Sequence, residues 1–171
     1  RRRVIFLYMR LNKYLAHSGV ASRRQSDALI QQATTFVNGK LITDPAFSVT
    51  EKDEIVFDGK KLSIVKNSQV FLFHKPLNVV TTTFDPQGRK TVLDYVKTGD
   101  RIFPIGRLDR MTTGLLLLTN DGELSNKLLH PKFGVPRIYE AEIEGVLDYK
   151  TIHKIAKGIF IGQGEFGRAE I

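Results

Sequence analysis

A short charged segment contains the residues best suited to chemistry in this chain of 171 residues. Arg107 and Asp109 are two positions apart, so their side chains share one face of an extended backbone. A neighbouring arginine keeps a carboxylate ionised, and an ionised carboxylate can attack carbon without a metal or a cofactor. The alternative is a structural ion pair at the start of a strand, and these two residues alone favour that alternative.

Other reactive groups form weaker patterns. Asp121 could pair with Asp109 as the carboxylates of a glycoside hydrolase do, but residues 121–123 are more typical of a helix start. The four histidines lack the spacing of metal ligands. Residues 112–114 are too short for a phosphate loop and lack its lysine. The absence of cysteine excludes disulfides, thiolate catalysis and cysteine-ligated zinc.

Two elements downstream must position Asp109. Four consecutive leucines, residues 115–118, are bounded by turn residues, which predicts a fully buried strand. Asp121 then begins a helix that extends to about Leu129 and stops at Pro131. The charged segment is therefore expected at one end of a buried strand.

Further strands and helices flank these elements. Residues 70–73 predict a buried strand, and residues 74–82 predict a turn and a second strand, with Asn78 in the left-handed conformation. Residues 138–144 alternate as a strand, and residues 148–157 predict a helix that stops at a glycine. Because the order shows no β-α-β repetition, we predict an α+β fold with a largely antiparallel sheet.

The N-terminal third predicts two short helices. Residues 10–17 form the first, and Ser22 begins the second with Gln25 three positions later as a capping box. Arg23 and Arg24 in its first turn oppose the helix dipole. They face either an external phosphate or solvent, and the residues alone do not choose.

Two hairpins follow, and the charge of this region is strongly basic. Residues 36–42 and 55–62 contain Asn-Gly and Asp-Gly, which favour tight type I′ turns. Residues 1–66 carry twelve basic and six acidic side chains, against fourteen and twelve in residues 67–171. The formal net charge of +8 indicates a polyanionic partner, although a basic surface also serves solubility alone.

Residues 106–122, the charged segment with its leucine run, resemble the signature of the ribosomal RNA pseudouridine synthases of the RsuA type. In that family the aspartate of G-R-L-D is the nucleophile, which implies this role for Asp109. The resemblance also implies that Tyr139 stacks on the target uracil. It gives Arg107 three possible roles: pairing with Asp109, holding a phosphate, or filling the gap left by a flipped base.

The resemblance covers about residues 9–166. Lys75 and Pro76 match the family's first motif, which is mainly structural, whereas His74 and Asn78 depart from its usual asparagine and glycine. Because asparagine tolerates the left-handed conformation, the departure at Asn78 costs the comparison little.

Residues 9–65 resemble an S4-type RNA-binding domain, which implies RNA binding by basic side chains on its helices. A linker at 66–69 and a synthase domain at 70–171 follow. The RNA-binding positions carried over are Arg10, Lys13, Arg23, Arg24 and Lys40.

The family implies an enzyme that isomerises uridine in ribosomal RNA, with no cofactor and no metal. We expect ribosomal RNA as the partner, more specifically that of the large subunit, a cytoplasmic location, no membrane association and a monomeric full-length protein. The first alternative is a non-catalytic RNA-binding or ribosome-assembly protein, and the second is an RNA-binding module fused to a carbohydrate-active domain.

The end of the chain predicts a missing part of the fold. Family members continue into a late basic motif, roughly R-Q-I-R, which does not occur here, so we expect a truncated synthase domain. Residues 159–171 have no visible strand partner in the sequence. We therefore expect either contact with another chain or fragment, or an exposed apolar edge beside Asp109.

Overall fold

The computed structural model describes residues 8–65, 67–162 and 164–171. The chain divides into two compact units, Arg1–Val135 and Pro136–Ile171. Helices and strands alternate irregularly, and the strand pairs within the described ranges are antiparallel. This arrangement confirms the predicted α+β class.

The first 65 residues pack two helices on short strands. The elements are β1 Met9–Arg10, α1 Leu11–His17, α2 Arg23–Gln31, β2 Thr35–Val37, β3 Lys40–Leu41, β4 Ser48–Val49, β5 Ile55–Phe57 and β6 Lys60–Lys61. Their core is built from Leu11, Leu15 and Ile30, which have no solvent-exposed surface. The capping box is confirmed: the Gln25 amide donates to Ser22 Oγ at 3.3 Å, and the Ser22 amide donates to Gln25 Oε1 at 3.2 Å.

Both predicted hairpins form in a four-stranded sheet with the order β3-β2-β5-β6. Asn38 and Gly39 have φ values of 51° and 78°, and Asp58 and Gly59 have φ values of 48° and 72°. Type I′ turns require positive φ at both central residues. The two dipeptides therefore set the register of the sheet locally.

The leucine run lies in a second sheet with the order β7-β9-β8. Its strands are β7 Val70–Lys75, β8 Phe103–Ile105 and β9 Gly114–Thr119, and a helix, α3 Gly122–Leu129, follows β9. Leu116 and Leu118 are buried, but Leu115 is 66% exposed and Leu72 on β7 is 75% exposed.

The prediction of a fully buried strand at 115–118 is therefore wrong, and so is the prediction of a buried strand at 70–73. One face of the sheet packs on a core that includes Val79, Val92 and Ile102. On the other face, Leu72 of β7 and Leu115 of β9 are exposed to solvent. Periodicity cannot separate a one-sided strand from a two-sided one when both faces are apolar. Met111 in the Asp109 loop and Leu115 on β9 are exposed, but β9 is the central strand of its sheet, so the exposed apolar edge expected beside Asp109 stays a prediction.

The second strand predicted within residues 74–82 does not form. Val79 and Thr81 are buried, yet the segment makes only an isolated bridge between Val80 and Thr91 among the described residues. The hydroxyl of Thr81 bonds instead to the backbone of Leu108. Side-chain bonding to a neighbouring loop has replaced a strand ladder.

The second unit contains one helix and one hairpin: α4 Tyr149–Lys157, β10 Ile159–Gly162 and β11 Glu165–Gly167. The helix is confirmed, with Asp148 accepting from the Thr151 amide at 2.7 Å. Residues 159–171 form a hairpin of their own, in which β10 pairs with β11, and among the described residues no strand from outside this segment joins that sheet, as expected. The strand predicted at 138–144 is absent from the described structure. A strand needs a neighbouring strand to form its backbone hydrogen bonds, and no described strand pairs with this segment.

Candidate active site

Asp109 lies on the loop that joins two neighbouring strands of the second sheet. β8 ends at Ile105 and β9 begins at Gly114. The loop leaves β8 through Gly106, whose φ is 78°, and the Asp109 carbonyl accepts a hydrogen bond from the Thr112 amide at 3.0 Å. Asp109 is exposed to solvent, so a molecule in solution can reach its carboxylate.

Two side chains from the segment after β7 bind this loop. Thr81 Oγ1 donates to the Leu108 carbonyl at 2.6 Å and accepts from the Leu108 amide at 3.3 Å. The backbone amide of Asn78 donates to the Arg110 carbonyl at 2.8 Å, and Arg110 Nη1 donates to the side-chain Oδ1 of Asn78 at 2.9 Å. Asn78 has φ of 63°, which confirms its predicted left-handed conformation. Asp109 is thus flanked on both sides by fixed backbone.

Lys75 lies beneath the same loop. Its side chain has no solvent-exposed surface, and Nζ donates to the carbonyls of Pro76, Arg110 and Thr112 at 3.0, 3.4 and 2.8 Å. Burial lowers the pKa of Lys75, and the Asp109 carboxylate opposes that effect. A buried ammonium is tolerated when its donors are satisfied. Here three carbonyls satisfy it and are held by it.

The Lys75–Pro76 motif, expected to be mainly structural, also supplies the buried ammonium that binds the Asp109 loop. The sequence indicates this role in one way: Lys75 closely follows the apolar segment 70–73 and directly precedes Pro76. Lysine is almost never fully buried without partners. A lysine at that position therefore predicts a polar cage supplied by another segment.

Arg107 and Asp109 do not form an ion pair in the described part of the chain. Both side chains are exposed, and the nearby Arg110 is occupied by Asn78. The structural ion pair that the residues alone favoured is thus not found. The Asp109 carboxylate is available to a substrate.

Asp121 is committed to capping α3. Its Oδ1 accepts from the amides of Glu123 and Leu124 at 2.9 and 3.0 Å, and Oδ2 accepts from Ser68 Oγ at 3.1 Å. The amide bond from Leu124 lowers the pKa of Asp121, and the hydroxyl of Ser68 adds to this effect against the opposing effect of burial. The predicted helix start is confirmed. Both oxygens of Asp121 are bonded to the start of α3 and to Ser68, which argues against a catalytic pair with Asp109.

The predicted RNA-binding residues differ in their surroundings. Arg10, Arg23, Arg24 and Lys40 are exposed, and no described carboxylate forms an ion pair with them. Lys13 instead pairs with Glu123 of α3 at 2.5 Å. Four of the five cations are therefore open to an external anion.

Comparison with known proteins identifies the two segments. The RNA pseudouridylate synthase family model matches residues 69–168, and the S4 domain model matches residues 9–55. The chain belongs to the RNA pseudouridylate synthase family. The resemblance predicted from residues 106–122 is thereby confirmed.

Relatives of this pseudouridylate synthase chain come from several bacteria. It is 43% identical to ribosomal large subunit pseudouridine synthase B of Bacillus subtilis, covering 94% of this chain and 66% of that protein. It is 40% identical to an uncharacterized RNA pseudouridine synthase of Aquifex aeolicus (91% and 64%), and 38% identical to the large subunit synthase B of Yersinia pestis (91% and 51%). The chain thus spans half to two thirds of these relatives' length.

A solved structure supports the fold. A crystal structure of a pseudouridylate synthase superposes with a TM-score of 0.55 at 24% identity, covering 94% of this chain and 70% of that one. At this identity the similarity establishes the architecture alone.

Tyr139 of this synthase chain belongs to the second unit. It is 65% exposed and lies outside the described helices and strands. Its ring is open to solvent on that unit, and its role against uracil stays a prediction.

The described ranges contain no cluster of histidine and carboxylate side chains able to hold a metal ion. Among the described helices none has the length and apolar composition needed to cross a membrane.

Proposed function

We propose that this chain is the RNA-binding and synthase part of an enzyme that converts a specific uridine of large-subunit ribosomal RNA to pseudouridine, with Asp109 as the nucleophile. The observation that carries the proposal is the Asp109 carboxylate itself. It is exposed, forms no ion pair within the described residues, and stands on a loop braced by Lys75, Thr81 and Asn78.

The reaction requires little beyond such a carboxylate. The bond between ribose C1′ and uracil N1 breaks, a bond between C1′ and C5 forms, the C5 proton leaves, and N1 gains a proton. Nothing is added or lost, so no cofactor takes part. Attack on the ribose and attack on the uracil ring are the two routes, and both need an ionised, accessible nucleophile.

The target uridine must leave its base stack before Asp109 can reach it, which costs a few kcal/mol. In the proposed complex, Arg107 holds a phosphate or fills the vacated space, and Tyr139 stacks on the extruded uracil. Arg10, Arg23, Arg24 and Lys40 contact the RNA backbone. The bound partner is ribosomal RNA, and the enzyme works as a cytoplasmic monomer.

The test is pseudouridine mapping of ribosomal RNA in cells that lack the gene. The full-length gene is returned as wild type, as Asp109→Asn, or as Asp58→Asn. Asp58→Asn is the matched control, because it makes the same change at an exposed hairpin position where asparagine suits the positive φ. We expect one modified uridine to require Asp109 and to be indifferent to Asp58.

Activity of Asp109→Asn within about tenfold of wild type, about 1.4 kcal/mol of barrier, would exclude this nucleophile. A wild-type gene that restores no pseudouridine while its product still binds ribosomal RNA would instead support the non-catalytic alternative.

A further inference from the structure

The first unit contains a contact between the S4 domain and the synthase part that the proposed reaction does not use. Lys13 on α1 reaches Glu123 in the first turn of α3, with 2.5 Å between Nζ and Oε1. The Lys13 side chain is 32% exposed, whereas Glu123 is 58% exposed. The outward face of α1 is therefore partly occupied by protein.

His17, one turn further along α1, extends the contact. A Cβ placed on Gly122 would lie 3.5 Å from His17 Nε2, so the ring packs directly on the backbone of α3. Burial lowers the pKa of His17, and the charges of Lys13 and Arg23 act in the same direction, while Glu123 and Asp121 oppose them. A half-buried imidazole thus lies against the first residue of α3, within the electrostatic influence of Lys13, Arg23, Glu123 and Asp121.

The connecting segment is fastened at the same place. The Val65 amide donates to the His17 carbonyl at 3.1 Å, and Ser68 Oγ donates to Asp121 Oδ2 at 3.1 Å. Lys66, within the predicted linker, lies outside the described residues. The two ends of the connection therefore meet the end of α1 and the start of α3.

We propose that Lys13 and His17 are domain-positioning residues, which dock the S4 domain on the start of α3. Since α3 follows directly from β9, whose other end adjoins the Asp109 loop, this docking relates the RNA-binding face to the nucleophile. Lys13 then forms the domain contact, and the phosphate contacts are made by the exposed Arg10, Arg23, Arg24 and Lys40. Docking exists without RNA and is measurable apart from the proposed reaction.

Charge reversal tests the proposal in the full-length protein. The 171 residues contain no cysteine, so dyes on Thr43→Cys and Asn126→Cys report the distance between the S4 domain and α3 by energy transfer. We expect Lys13→Glu and Glu123→Lys each to raise the undocked fraction about two- to fivefold, the range of an exposed pair. The double reversal should restore wild-type transfer.

The matched control is the exposed pair of Lys61 and Glu54, which lies within the S4 domain. Reversing either of these charges should leave energy transfer unchanged. Transfer that is insensitive to Lys13→Glu and Glu123→Lys would overturn the proposal. So would a double reversal that remains as undocked as Lys13→Glu, because that pattern indicates an independent effect of Lys13.

Discussion

Lys75 and Lys13 are two lysines that reach between segments far apart in the sequence, and they do so in opposite surroundings. Lys75 is buried and donates hydrogen bonds to three backbone carbonyls in and beside the Asp109 loop. Lys13 remains partly solvated and meets one exposed carboxylate. A buried cation is costly to disturb, whereas an exposed ion pair contributes little. The loop is therefore built to be rigid and the domain contact to be adjustable.

The largest effect should follow from removing the Lys75 ammonium. Lys75→Met keeps the length of the side chain but removes the ammonium from the Pro76 and Thr112 carbonyls, whereas the Arg110 carbonyl keeps its bond from the Asn78 backbone amide. Leaving buried acceptors unsatisfied costs about 1–3 kcal/mol of the free energy of unfolding. We also expect slower pseudouridine formation, because the loop that carries Asp109 loosens.

Lys127→Met on the exposed side of α3 is the control, and urea unfolding measures both variants. An unfolding free energy of Lys75→Met equal to that of the control would show that the buried amine does not brace the loop.

The next effect is on RNA affinity rather than on stability. Replacing Arg23 and Arg24 with alanine should weaken RNA binding and lower the slope of log K against log salt by about two, one for each lost phosphate contact. Lys150→Ala with Lys154→Ala removes the same charge from α4. If both double variants show the wild-type slope, the arginines of α2 are merely solvated.

Lys13→Met should lower the free energy of unfolding by a smaller amount. The pair with Glu123 is largely exposed, and such pairs contribute at most about 1 kcal/mol. The unfolding free energy should therefore fall much less than for Lys75→Met, and high salt should abolish the difference from wild type. A loss as large as that of Lys75→Met would contradict the contrast between the two lysines.

Features that depend on a few neighbouring residues were predictable from the sequence. The capping box at Ser22, the cap at Asp121 and the turn at Asn38 each involve residues within three positions. The position of Asp109 at one end of the leucine strand was also predicted.

Features that depend on distant partners were not predictable. Thr81 and Leu108 are 27 positions apart, and Lys75 and Thr112 are 37 positions apart. No local sequence pattern predicts hydrogen bonds between residues this far apart. The strand predicted at 138–144 failed for the same reason, because alternation describes a face and not the strand that must pair with it.

The weakest of these effects concerns the pH dependence of the domain contact. The pKa of His17 is lowered by burial and by Lys13, so the unfolded chain takes up this proton first as pH falls below the ordinary histidine value of 6.5. Stability from this site is complete above pH 6.5 and declines as pH falls through the lowered pKa of the folded state. The pKa values of Asp121 and Glu123 are also lowered, so their contributions decline only in more acidic solution.

The unfolding free energy of wild type should therefore fall more between pH 7.5 and pH 5 than that of His17→Gln, which cannot take up the proton. His74→Gln, at an exposed position on β7, is the control and should follow wild type. If His17→Gln follows the wild-type curve through this window, the titrating group lies elsewhere, and the contact between α1 and α3 is held by Lys13 and packing alone.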